Sequence, residues 1–70
     1  MPEIKSVNIH GYDTIYAECE DAHGKFLLID IPSNADQRIS DIAGQFVDGY
    51  FIKEVAYHVQ DGKRAIKAYF

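Results

Sequence analysis

The stretch from Lys25 to Gly49 places the tightest limits on what this chain can become. It opens with the most apolar run in the sequence, Phe26-Leu27-Leu28-Ile29-Asp30-Ile31, and continues through a Pro32-Ser33-Asn34 break. It then carries Ala35, Ile39, Ile42, Ala43, Phe46 and Val47 at three- and four-residue steps. Apolar residues at that spacing form one stripe on an α-helix, with polar residues between them. Ser33 stands in the N-cap position and Asp36 three residues later in that of a capping-box acid, where its charge also suits the positive end of the helix dipole. Gly44 inside the helix costs about 1 kcal/mol relative to alanine, which close approach to a sheet would explain. Gly49 occupies the place of a C′ residue. A strand this apolar and a helix this one-sided each need a cover, so the helix is expected across a sheet that contains the strand.

Seventy residues with 47% apolar and 26% charged side chains describe a single globular domain over residues 1–70, close to the lower size limit for folding without metal or disulfide support. Cys19 is the only cysteine, so there is no internal disulfide framework and a reducing compartment fits. The start of the chain lacks a basic segment followed by an apolar one, and no apolar run approaches the ~20 residues of a membrane-spanning helix. The expected location is cytoplasmic.

The remaining segments read as strands. Ile4 to Ile9 places Val7 and Ile9 on one face, and Thr14 to Glu20 alternates Ile15, Ala17 and Cys19 against Thr14, Tyr16, Glu18 and Glu20. Two registers compete at the Asp21-Ala22-His23-Gly24 turn. A four-residue loop pairs Glu20 with Lys25 and sets Asp30 opposite Ile15, on what would be the buried side. A three-residue loop with Gly24 as the bulge residue pairs Asp21 with Lys25, Cys19 with Leu27, Ala17 with Ile29 and Ile15 with Ile31. Because a one-residue slip reverses every side chain, the second register is preferred, and a matching three-residue first turn sets Ile9 opposite Ile15. Phe26 and Leu28 then lie on the face away from the helix, near Tyr16, Glu18 and Glu20.

Asp61-Gly62 is a strong type I′ signal, and a two-residue loop there pairs Val59 with Arg64, Tyr57 with Ile66 and Val55 with Ala68. The expected fold is α+β: a five-stranded antiparallel sheet, β-β-β-α-β-β, in the order 4-5-1-2-3, with one helix packed on one face. Placing the fourth strand beside the third would require a parallel pair.

Chemistry-bearing groups are sparse. His10 and His58 approach one end of that sheet with Asp13 and Asp61, but no spacing resembles a zinc pattern, and no metal is expected. Cys19 on an apolar strand face reads as a small core residue. Glu18 and Glu20 share a strand face with little room for a cleft, so neither a catalytic pair nor a cofactor is expected. The chain is read as a non-catalytic protein-binding module. Its contact residues are Tyr16, Glu18, Glu20, Phe26 and Leu28, with Asp36, Asp41 and Asp48 on the exposed helix face.

Residues 1–48 carry nine acids against three bases, and such a surface suits a basic protein partner. The same apolar patch would also serve a two-fold homodimer. Residues 49–70 invert the balance, with two acids against four bases, so the alternative is nucleic-acid contact through His58, Lys63, Lys67 and Tyr69 on the final hairpin. Size, acidity and a lone helix on an antiparallel sheet resemble small phage-encoded inhibitor proteins, anti-CRISPR proteins among them. That resemblance implies an inhibitor or adaptor seated in the basic groove of a nucleic-acid-handling complex.

Overall fold

Alternating side chains and four short, turn-forming dipeptides build a chain that is nearly all strand. The structure, a computed structural model, describes residues 3–35 and 37–70, without the side chain of Gln37. In chain order the strands are β1 (Ile4–Ile9), β2 (Tyr12–Asp21), β3 (Gly24–Asp30), β4 (Phe46–Val47), β5 (Tyr50–Phe51), β6 (Glu54–Gln60) and β7 (Lys63–Tyr69). Five of them form one antiparallel sheet in the order β1-β2-β3-β7-β6, and β4 with β5 makes a separate hairpin. A single 3₁₀ turn, Gln37–Ser40, is the only helical element among the described residues. It is far too short to cross a membrane.

The expected helix is therefore absent, and the class is not α+β. Between β3 and β6 the chain makes three i→i−3 turns: the N–H groups of Ala35, Asp41 and Gln45 donate to the carbonyls of Pro32, Arg38 and Ile42 at 3.0–3.1 Å. Tight turns of this kind also return side chains to one side about every third residue, which imitates a helical stripe in sequence. Ile39, Ile42 and Val47 do face inward, whereas Ala43 and Phe46 are exposed. Gly44 at φ +82°, Asp48 at +49° and Gly49 at +87° occupy the left-handed region, which a right-handed helix excludes. Without its lone helix, the architectural resemblance to phage-encoded inhibitors keeps only size and acidity.

The strand order also differs from the expected 4-5-1-2-3. The final hairpin joins the sheet beside β3, with Leu27 opposite Ala68 and Ile29 opposite Ile66, and β1 forms the far edge. The segment after β3 crosses one face of the sheet and enters β6 at the outer edge. The Asp61-Gly62 turn then brings β7 back against β3, antiparallel. Within that last hairpin the expected pairs, Val59 with Arg64, Tyr57 with Ile66 and Val55 with Ala68, are all present.

Both N-terminal registers are corrected. β2 and β3 pair Glu20 with Lys25 and Cys19 with Phe26, and β1 meets β2 with Ile9 opposite Tyr12. Asp30, which this register was expected to bury, is exposed, and Ile15 is exposed with it. The slip leaves β3 facing as expected, Leu27 and Ile29 inward, but turns β2 over. Tyr16 is now buried with Leu27 and Ile29, while Ala17 and half-buried Cys19 lie on the open face with Phe26 and Leu28.

The core lies between one sheet face and the 31–53 segment. Leu27, Ile29, Ile66 and Ala68 from the sheet meet Ile39, Ile42, Val47 and Ile52 from the segment, all buried. At about 1.5–3 kcal/mol per fully buried aliphatic side chain, this layer is the main favourable contribution to folding. Ile42→Ala should cost about 2–5 kcal/mol in urea unfolding, and Phe46→Ala at most about 1 kcal/mol. A helical stripe would have made both substitutions severe.

Candidate protein-contact surface

Phe46-Val47-Asp48-Gly49-Tyr50-Phe51 is an Asp-Gly turn flanked by aromatic and β-branched residues, the same pattern that closes the final hairpin. It folds accordingly. Phe46 pairs with Phe51 and Val47 with Tyr50, and the ladder continues through Gly44 N–H to the Ile52 carbonyl at 2.7 Å and Ile52 N–H to the Gln45 carbonyl at 2.9 Å. Alternation sends Val47 and Tyr50 toward the core and Phe46 and Phe51 outward. Tyr50 packs edge-on to Tyr16 at 6.4 Å between ring centroids and against Phe70 at 4.7 Å. Phe46 and Phe51 form their own pair at 5.3 Å, 72% and 45% exposed.

The hairpin draws acidic groups around it. Tyr16, only 3% exposed, donates its hydroxyl hydrogen bond to the Asp48 carboxylate in the turn, and the Tyr50 hydroxyl donates to Glu18 at 3.2 Å. The Gln45 amide donates to the Asp41 carbonyl at 3.2 Å, and the His10 ring nitrogen lies 3.1 Å from that same oxygen. The hydrogen bond to Asp48, then burial, then the charges of Asp48, Tyr50 and Glu18 push the Tyr16 phenol up to about 12. Of the residues expected to contact a partner, Tyr16, Glu18, Asp41 and Asp48 thus gather at this insert, Tyr16 as an internal strut. Glu20 is exposed on the same side of β2 as Glu18. Asp36 lies outside the described residues.

Phe26 and Leu28 sit on the opposite face, as expected, but do not form a free patch. Phe26 is only 6% exposed, because the Tyr69 ring lies 5.4 Å away and Lys67 Nζ stands 5.1 Å from its centroid. Asp21 holds both neighbours, accepting from the Tyr69 hydroxyl at 2.9 Å and lying 3.6 Å from Lys67 Nζ. Burial pushes the Asp21 carboxyl up, but the hydrogen bonds from His23 N–H and Tyr69 and the charge of Lys67 outweigh it, and it sits below its ordinary value. Burial and the hydrogen bond to Asp21 push the Tyr69 phenol up.

The expected apolar patch and the expected nucleic-acid face are therefore one cluster, because β3 and β7 are neighbours. His58 and Lys63 share that face, with His58 Nε2 3.3 Å from Gln60 Oε1. Asp13, Asp21, Asp30 and Glu54 outnumber Lys63 and Lys67 on it. Among the described residues no three His, Cys, Asp or Glu side chains group to hold a metal. His10, beside the β1 edge, and His58, on the opposite edge strand, do not converge.

Phe46 and Phe51 escaped the sequence reading because Phe46 fitted the helical stripe; the Asp48-Gly49 dipeptide was the available signal. The folded state holds the Tyr16 proton more tightly than the unfolded chain does. Its contribution is therefore complete below pH 10 and lost as the pH rises toward 12, a loss on the order of 2 kcal/mol. Tyr16→Phe should cost about 0.5–1.5 kcal/mol at neutral pH. Denaturant titrations of both proteins from neutral pH to 12 should show this extra alkaline loss in the wild type alone. Compared with protein-family models, with curated proteins and with solved structures, the chain matches none.

Proposed function

We propose that this chain is a non-catalytic protein-binding module that docks on a basic-surfaced protein through the β4–β5 hairpin. The observation that carries this is the outward Phe46–Phe51 pair, presented by a hairpin whose other face is anchored in the core. Aromatic side chains on a rigid support lose little conformational freedom on contact and are favoured as interface anchors. Glu18, Asp41 and Asp48 around the insert add steering toward a cationic surface and discrimination against an acidic one. Nucleic-acid contact through His58, Lys63, Lys67 and Tyr69 has weaker support, since Asp21 already engages Lys67 and Tyr69.

The test is a Phe46→Ser/Phe51→Ser double variant, immobilised beside the wild-type chain and exposed to lysate of the cells that naturally produce it. Both side chains are exposed, so the variant should stay folded, with at most about 1–2 kcal/mol lost. The wild type should retain a basic protein that salt releases and that the variant does not retain. The same proteins held equally by both chains would overturn the proposal.

A further inference from the structure

The outer strand β6 carries an unguarded edge, and backbone geometry identifies which residues use it. The N–H of Ile31 donates to the carbonyl of Arg64 at 3.1 Å, continuing the β3–β7 ladder in which Ile29 faces Ile66 and Leu27 faces Ala68. Backbone groups alternate sides along a strand, so Arg64, Ile66 and Ala68 serve β3, and the residues between them serve β6. Their partners in β6 are Glu54, Ala56, His58 and Gln60. The N–H of Lys53 donates to the Tyr69 carbonyl at 2.7 Å, at the end of that same ladder. The N–H and C=O groups of Val55, Tyr57 and Val59 are thus the ones directed away from the sheet.

The same three residues form an apolar row at the edge. Val55 is half-buried, Tyr57 is 65% exposed and Val59 66% exposed. Natural edge strands are commonly blunted by lysine, proline or a bulge, and β1 carries Lys5. Along β6 the one charge is Glu54, at its first residue.

We propose that β6 pairs antiparallel with β6 of a second copy of this chain, about a two-fold axis at Tyr57. In this register Tyr57 faces Tyr57 of the other copy, Val55 faces Val59, Ala56 faces His58 and Glu54 faces Gln60. Roughly six backbone hydrogen bonds form, two for each outward-directed pair. Lys53 at one end of the strand meets Asp61 at the other end of its mate, on both sides of the axis, and no like charges oppose each other. Moving the axis to Val55 sets Tyr57 against Lys53, whose N–H is already donated to Tyr69, and moving it to Val59 sets Tyr57 against Asp61, which lies in the turn at φ +54°. The Tyr57-centred register alone matches apolar with apolar and base with acid. The Tyr57 hydroxyl lies 3.0 Å from Ser40 Oγ, which orients the ring over the covered face of the sheet.

Sedimentation equilibrium of the pure chain should show the mass rising from 7.9 kDa toward twice that value as concentration increases from about 1 μM to about 1 mM. Tyr57→Lys and Tyr57→Glu should each be folded and monomeric, because each sets like charges across the axis. An equal mixture of the two should recover the dimer as a heterodimer. Val59→Pro, which removes an edge N–H that the β6–β7 ladder does not use, should also weaken dimerisation. A wild-type chain that stays monomeric throughout overturns the proposal, as does a Tyr57→Lys variant that still dimerises or a mixture that fails to. Phe46 and Phe51 are intact in all these variants, so the outcome is independent of the partner contact.

Discussion

Leu27, Ile29, Ile66 and Ala68 are sealed from solvent because Ile39, Ile42, Val47 and Ile52 lie over them, and the rest of the molecule answers to that one contact. A single sheet has two faces, and a chain this short can cover only one. The cover here has almost no regular structure. Much of its backbone is matched within the cover itself: tight turns over 32–35, 38–41 and 42–45, then a hairpin bonded through Gly44, Gln45 and Ile52. Irregular backbone can be laid against an apolar surface when its polar groups are matched in this way. Tyr16 follows from the same constraint. Its ring fills space beneath the insert, its hydroxyl must then be paired, and the Asp48 turn supplies the acceptor.

The parts of the fold legible in sequence are those decided by local chemistry. Asp61-Gly62 specifies a two-residue turn, and the register of β6 with β7 follows from it. The inward Leu27 and Ile29 were equally legible, since both alternate with Phe26 and Leu28 in a run whose strand character was plain. The face of β2 was not. Thr14, Tyr16, Glu18 and Glu20 look like the solvent side, and Ile15, Ala17 and Cys19 like the core. Sequence polarity counts a hydroxyl as solvent-seeking, whereas the Thr14 hydroxyl donates to the Asp30 carbonyl at 2.6 Å and Tyr16 is paired with Asp48. Tertiary partners inverted the preference, and the whole strand turned with it.

The candidate site was partly visible for a related reason. Glu18, Asp41 and Asp48 stand out by charge, and charge needs no knowledge of topology to be recognised on a surface. Their gathering point was hidden, because it depends on a hairpin that hydrophobic spacing disguised as a helix. Phe46 and Val47 are adjacent in a stripe at helical spacing, but across a strand they point to opposite sides. One is a core residue and the other the most exposed large apolar side chain among those described. The alternate faces of one dipeptide thus divide core packing from solvent exposure.

The hairpin and the β6 edge also combine in a definite way. A two-fold axis that pairs antiparallel strands edge to edge runs perpendicular to the sheet, so the covered faces of both copies lie on the same side of one continuous layer. The two inserts, each with its Phe46–Phe51 pair, then face the same direction. A partner with two matching basic sites would meet both at once, and the second contact would form at the high effective concentration imposed by the first. A contact of two rings and a few acids is modest when alone. Edge pairing as proposed would turn it into a bivalent surface without adding a residue.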